Sequence, residues 1–175
     1  MNKPRFLLFD ACVAIDFLDL NCGLVALVSE TLGQVCIARP LLEELKGRVD
    51  AENAAQLGIE IVDVDEEDVL TVLERENAPK GDDAWGRLSN YDVLCLLTAR
   101  RGRYVCATND AALLKRCEAL GVETKRGLRL VVDIVERGAL TKARAKEIGA
   151  SICRANQWMK TSLYEDFIKR VEDVQ

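Results

Sequence analysis

The stretch LSNYDVLCLLTARRGRYVCATNDAALLKRCEALGVET, residues 88–124, decides the fold. Ser89 precedes a helical run that Gly102 closes, so it reads as a helix N-cap. RYVCA, residues 103–107, is a short apolar strand. Asp110 to Leu120 is a second helix, stopped by Gly121, and Val122 to Thr124 predict a further short strand. Helices alternate with strands that are apolar runs rather than strict alternators. That pattern belongs to a parallel sheet covered by helices.

The same alternation extends toward the N-terminus. RFLLFD, Arg5 to Asp10, predicts a buried strand, with Asp10 as its last residue. Helical pattern follows to Leu32, interrupted near Asn21-Cys22-Gly23. QVCIA, residues 34–38, predicts a second strand. Arg39-Pro40 then opens a helix over LLEELKG, with Pro40 near its first position and Gly47 at its stop. IEIVDV, residues 59–64, predicts a third strand, and EEDVLTVLERE a helix with acids in its first turn. Ala78 to Gly86 is a loop carrying Pro79, Gly81, Asp82 and Asp83.

Beyond the deciding stretch the pattern is helical. Leu128 to Arg137, Thr141 to Asn156 and Ser162 to Val174 each predict a helix, the last opened by a Ser162–Glu165 capping box. The expected fold is α/β, a parallel sheet of four to five strands sandwiched by helices. The expected division is a domain over residues 1–136 and a helical extension over 137–175.

Composition narrows the chemistry. The chain has 175 residues, 24 basic and 29 acidic side chains, a net charge of -5 and no histidine. The missing histidine removes Ser-His-Asp and Cys-His nucleophilic machinery and His-ligated zinc. The seven cysteines are odd in number and lack Cys-x-x-Cys spacing. They read as free thiols filling a core in a reducing cytosol. No run approaches the ~18 apolar residues of a membrane span, so the expected location is the cytoplasm, away from membranes.

Ligands of open parallel sheets sit beyond the carboxyl ends of the strands. Asp10 ends the first strand, Glu43 and Glu44 follow the second by one helical turn, and Asp110 follows the fourth. Asp92, three residues after Ser89, is a plausible fourth acid. Carboxylates gathered in one crevice repel one another unless they take up protons or share a cation. Oxygen donors without His or Cys favour Mg²⁺ or Mn²⁺. Such an ion lowers the pKa of bound water and neutralises a phosphate oxygen, which suits phosphodiester hydrolysis.

These blocks resemble the PIN-domain family over about residues 5–135. The resemblance is carried by LLFDACVAIDFL, PLLEEL, LSNYDVLCLLTARRG and YVCATNDAALLKRCEALGV. GLRLVVDIVERGALTKARAKEIGASICRAN is similar to the C-terminal part of a prokaryotic PIN subgroup. The resemblance implies a Rossmann-like fold and a metal-dependent endoribonuclease, often the VapC-like toxin of a toxin–antitoxin pair and a homodimer. It implies catalytic roles for Asp10, Glu44, Asp92 and Asp110, with Asp10, Asp92 and Asp110 on the metal. Glu44 is preferred to Glu43 because the family acid precedes a leucine. Ser89, Thr108 and Asn109 match supporting positions, while Cys12 stands where many members carry Ser, Thr or Asn.

Charge distribution points separately to nucleic acid. Residues 100–129 hold eight basic side chains against three acids, a local net charge of +5. Arg100, Arg101, Lys115 and Arg116 are the expected phosphate contacts. Conversely, Glu60 to Asp83 carries ten acids against Arg75 and Lys80. Trp85 and Trp158 are isolated, so no base-stacking platform is expected. The competing reading is a non-catalytic PIN-fold module that binds nucleic acid or protein.

Overall fold

The computed structural model describes residues 5–20, 22–77, 85–156 and 159–175. The expected loop therefore lies outside the described residues from Ala78 to Ala84, and so does Trp158.

Five strands form one parallel sheet: β1 (Phe6–Phe9), β2 (Gln34–Ala38), β3 (Ile59–Val62), β4 (Val105–Ala107) and β5 (Thr124–Lys125). Their spatial order is β3-β2-β1-β4-β5. The chain starts in the middle, moves to one edge, returns across β1 and proceeds to the other edge. Right-handed crossovers in these two directions place helices on opposite faces. The central strands are buried because both faces are covered: Leu8, Phe9, Cys36, Ile37 and Ala107 are fully enclosed.

Helices α1 (Ala11–Leu20) and α2 (Cys22–Thr31) join β1 to β2, bent from one another by 117°. Helix α3 (Glu66–Asn77) follows β3, and α4 (Asn90–Gly102) lies against β1, β2 and β4. Helix α5 (Ala111–Ala119) joins β4 to β5, and α6 (Gly127–Glu136) follows β5. Helix α7 (Lys142–Ala155) packs on α1 and α6, and α8 (Thr161–Asp173) packs on α6 and α7. Ala145, Ile152, Phe167 and Val171 join the same hydrophobic core as the sheet. Among the described residues, no single helix is long and apolar enough to cross a membrane. Cys36, Cys95, Cys106 and Cys117 are buried and, like Cys12 and Cys153, carry free thiols.

Several elements depart from the sequence expectations. LLEELKG is not an α-helix. A 3₁₀ turn spans Arg39–Glu43, and the Glu44 and Leu45 N–H groups donate back to the carbonyls of Leu41 and Leu42. Gly47, with φ +81°, ends the segment in the left-handed conformation. β1 stops at Phe9, although the Asp10 N–H still donates to the Ala107 carbonyl at 2.9 Å.

β4 starts at Val105 rather than Arg103, because Arg103 itself takes the left-handed conformation that ends α4, with φ 54°. Gly102 serves space instead, since a Cβ there would lie 2.6 Å from the Tyr104 ring. The fifth strand is Thr124–Lys125. The Ser162–Glu165 capping box does not form. Helix α8 already begins at Thr161, so Ser162 lies inside the first turn, and Lys160 at the cap position makes no side-chain cap bond.

Candidate active site

The order β3-β2-β1-β4-β5 reverses direction at β1, and the crevice beyond the carboxyl ends of β1 and β4 is where such sheets bind ligands. Asp10 leaves β1 into it. Its residue is only 4% exposed. Oδ1 accepts from the Ala11 N–H at 2.8 Å. Oδ2 accepts from the Thr108 hydroxyl at 2.8 Å and from the Cys12 thiol at 2.9 Å. Burial raises the Asp10 pKa above the ordinary carboxylate value. The Cys12 and Thr108 bonds oppose that shift, and the nearby Asp92 charge adds to it.

Cys12 thus joins Thr108 in donating to one Asp10 oxygen. Its thiol also accepts from the Asn109 N–H at 3.3 Å. Burial first, then the Asp10 charge, pushes the thiol pKa up to about 12, so it stays a donor.

The β4–α5 turn carries Thr108, Asn109 and Asp110. Thr108 is fully buried. Its hydroxyl donates to Asp10 and accepts from the Asp110 N–H at 3.1 Å, so one atom ties the two acidic positions together. Asp110 is the N-cap of α5, its Oδ1 accepting from the Leu113 N–H at 2.7 Å.

Asp92 sits at the start of α4. Its carboxylate accepts from the Ser89 N–H at 2.7 Å, while the Ser89 hydroxyl accepts from the Asp92 N–H at 3.1 Å. This reciprocal capping box fixes Asp92 on the helix end that faces Asp10 and the 3₁₀ segment. Glu44 ends that segment. Burial, then the charges of Asp10 and Asp92, raise its pKa. Glu43 turns elsewhere and pairs with Lys46.

Asp10, Glu44 and Asp92 therefore lie within electrostatic reach of one another, and Asp110 is linked to Asp10 through Thr108. The donors are all hard oxygens in mutual repulsion, which suits a divalent cation of the Mg²⁺ or Mn²⁺ kind. Among the described residues, no group of three or more acids and thiols is already gathered to hold a metal ion.

Two supporting features escaped the sequence reading. Asp16, buried in α1, accepts from Asn109 Nδ2 at 3.1 Å and from Asn156 Nδ2 at 2.7 Å. Asn109 Oδ1 in turn accepts from the Gly127 N–H at 3.0 Å. The turn before Asp110 is thereby tied to α1, α6 and the end of α7. The one available signal was an acid on the apolar face of α1, whose other acid, Asp19, lies toward solvent. Secondly, Arg48 grips Asp19 with two bonds of 2.6 and 2.8 Å, anchoring the Glu44 segment to α1.

The expected phosphate-binding residues separate. Arg100 and Arg101 lie near the far end of α4, roughly 12–14 Å along its axis from Asp92. Arg101 is held by Asp65, Glu67 and Asp68. These carboxylates neutralise it, so its expected role on phosphate does not fit. Lys115 is exposed on α5. Arg116 lies over the Trp85 ring, 5.0 Å from its centroid, so Trp85 is not isolated. Asp82 and Asp83 lie outside the described residues.

A five-stranded parallel sheet in this order, covered by helices on both faces, is a PIN-like α/β fold. Among solved structures, the chain is similar to a PilT N-terminus domain protein from the hyperthermophilic archaeon Sulfolobus solfataricus P2. The TM-score is 0.51 at 15% identity, over 75% of this chain and 95% of that one. No protein-family profile matches the chain. No curated protein matches it.

Proposed function

We propose that the chain is a Mg²⁺- or Mn²⁺-dependent endoribonuclease that hydrolyses phosphodiester bonds, and that it serves as the toxin of a toxin–antitoxin pair. The observation that carries this reading is the gathering of Asp10, Glu44 and Asp92 at the β1–β4 crevice. Burial chiefly, with Asp92 adding to it, raises both Asp10 and Glu44. A site built to be apolar would not hold three acids there, and a site built to hold anions would place cations there.

Asp10, Asp92 and Asp110 would hold the ion. Bound there, it would lower the pKa of a water molecule and neutralise a phosphate oxygen. Thr108 and Cys12 keep the Asp10 carboxylate in one rotamer, and the Ser89 capping box does the same for Asp92. Glu44, whose pKa burial raises above the ordinary carboxylate value, is suited to take a proton at a carboxylate oxygen. Asn109, fixed by Asp16, holds the turn from which Asp110 projects.

This chemistry leaves 5′-phosphate and 3′-hydroxyl ends, because water attacks rather than the 2′-hydroxyl. The test is cleavage of structured and unstructured RNA in Mn²⁺, with the product ends mapped. Cyclic phosphate ends, or equal turnover by Asp10→Asn, would reject the reading. As a toxin, the wild-type chain expressed without its antitoxin would arrest growth and Asp10→Asn would not.

A second reading has its own support. Asp110 and Asp92 each already serve a helix terminus, and no closed metal group stands among the described residues. Under that reading the fold is a non-catalytic module that binds nucleic acid or protein. RNA binding without cleavage, unchanged in Asp10→Asn, would favour it.

A further inference from the structure

Helix α3 buries Val72 and Asp68 but leaves a second apolar face outside. Its Val69, Leu70 and Leu73 are 39%, 56% and 47% exposed, whereas Asp68 is buried against Arg101. On a helical wheel Val69, Leu70 and Leu73 share one outward stripe, with Glu66 on the same face and Glu74 beside it. Single exposed apolar residues mean little, but a contiguous stripe that turns outward while an acid turns inward marks a contact surface. The stripe is apolar and bordered by negative charge.

The other edge of the molecule carries its counterpart. A cavity of about 780 Å³ opens between α5, β5, α6 and α8. Leu114, Met159 and Leu163 are half-buried in its lining, and Lys115 and Arg126 stand at its border. Lys125, Arg129 and Arg170 also line it but are paired with Asp133, Glu136 and Asp166. Lys115 and Arg126 have no acidic partner among the described residues. Glu118 lines the cavity too, so two unpaired cations stand against one acid, and an apolar floor with that net positive border suits an apolar helix face edged by acids. The same floor is poorly suited to a phosphate backbone, which needs no apolar bed.

The two surfaces cannot meet within one chain. Helix α3 follows the edge strand β3, while the cavity is lined by the opposite edge strand β5. Four strand spacings separate those edges, or about 19 Å. We infer that α3 of one copy docks, through Val69, Leu70 and Leu73, in the α5–α6–α8 cavity of a second copy, its Glu66 and Glu74 meeting Lys115 and Arg126. Such a contact is head-to-tail. It uses different patches on the two partners and leaves one of each unsatisfied, so association continues into a ring or a chain. An isologous homodimer would instead use one patch twice.

The experiment is sedimentation of the full chain over a range of concentrations in low salt, with two variants. Leu70→Asp disables the helix side, and Lys115→Glu/Arg126→Glu disables the cavity side. Wild type is expected to self-associate, with affinity falling at least about tenfold when salt is raised well above physiological strength. Each variant alone is expected to be monomeric. Their equimolar mixture is expected to form a dimer and nothing larger, because one intact helix side and one intact cavity remain. Recovery in the mixture also proves both variants folded. A wild-type chain that stays monomeric overturns the inference. So does a mixture that stays monomeric, which points to an isologous contact if wild type associates. Loss of RNA binding by the cavity variant in a monomeric wild-type background would assign the cavity to nucleic acid and likewise overturn it.

Discussion

At the scale of the single residue, the raised carboxyls set the pH behaviour. Asp10 and Glu44 have folded pKa values above their unfolded ones, because burial and neighbouring acids disfavour the anion. The folded state therefore holds protons more tightly than the unfolded chain, and stability falls as pH rises through that window. Below the window the penalty is absent. Asp16 is raised by burial in the same direction. Asp19, lowered by Arg48, acts oppositely and only in more acid solution. Lowering the pH through the range where these raised carboxyls take up protons should thus raise the melting temperature without metal while the nuclease rate falls. In Asp10→Asn the melting temperature at neutral pH should already be higher and the gain on acidification smaller. Thermal melts in EDTA check both; a variant less stable than wild type at neutral pH would contradict the assignment. Glu43 and Glu44 were indistinguishable by spacing, because a turn that becomes 3₁₀ rotates successive residues differently from an α-helix. The Lys46 pair on Glu43 gives the expected split: Glu44→Gln should lower kcat by about 10²-fold or more, and Glu43→Gln by less than about twofold. Comparable losses in single-turnover cleavage would show that Glu44 holds no special place.

At the scale of the element, caps and proposed catalytic positions coincide. Asp110 caps α5, and Ser89 with Asp92 caps α4. These helix starts were legible because Ser, Thr and Asp before a helical run satisfy backbone donors that nothing else reaches. The same logic misfired at Ser162. Four residues can spell a capping box wherever they fall, and the chain enters α8 two residues too early for it. The 3₁₀ turn after β2 was illegible for a different reason, since its brevity is set by how the following loop packs back through Arg48. The double duty of Asp110 permits a separation. Asparagine caps a helix about as well as aspartate, whereas alanine costs about 1 kcal/mol. Asp110→Asn should keep the melting temperature within a few degrees of wild type and abolish cleavage. Asp110→Ala should lose cleavage and also melt lower by roughly 2–4 °C. If Asp110→Asn keeps full activity, Asp110 is a cap and nothing more.

At the scale of the molecule, the parallel helix-covered sheet was readable from alternating apolar strands and helices, because parallel strands buried on both faces leave that pattern, while the strand order was not. The acids beyond their carboxyl ends were readable for the same reason. What the pattern could not carry was contact between distant segments. Asp16 meets Asn156 across 140 positions, and no local signal pairs them. The closeness of α7 to α8 is equally hidden: a Cβ at Gly149 would lie 2.2 Å from the Phe167 ring. Gly149→Ala should therefore destabilise the whole fold by about 1–3 kcal/mol rather than merely loosen an appendage, seen as one cooperative melt at lower temperature. An unchanged main transition with a separate early one would make the C-terminal helices an independent unit. The repulsion at the crevice also acts on the molecule as a whole. A divalent ion that binds the folded state alone stabilises it by RT ln(1 + [L]/Kd), about 2.7 kcal/mol at a hundredfold excess over Kd. For a chain of this size that is roughly 5–10 °C in melting temperature. Mn²⁺ should produce this rise, EDTA should remove it, and Asp10→Asn should show little of it. The apo variant should melt above the apo wild type, so the two curves should converge as metal is added. Parallel curves, with equal gains in both proteins, would place the ion somewhere other than Asp10.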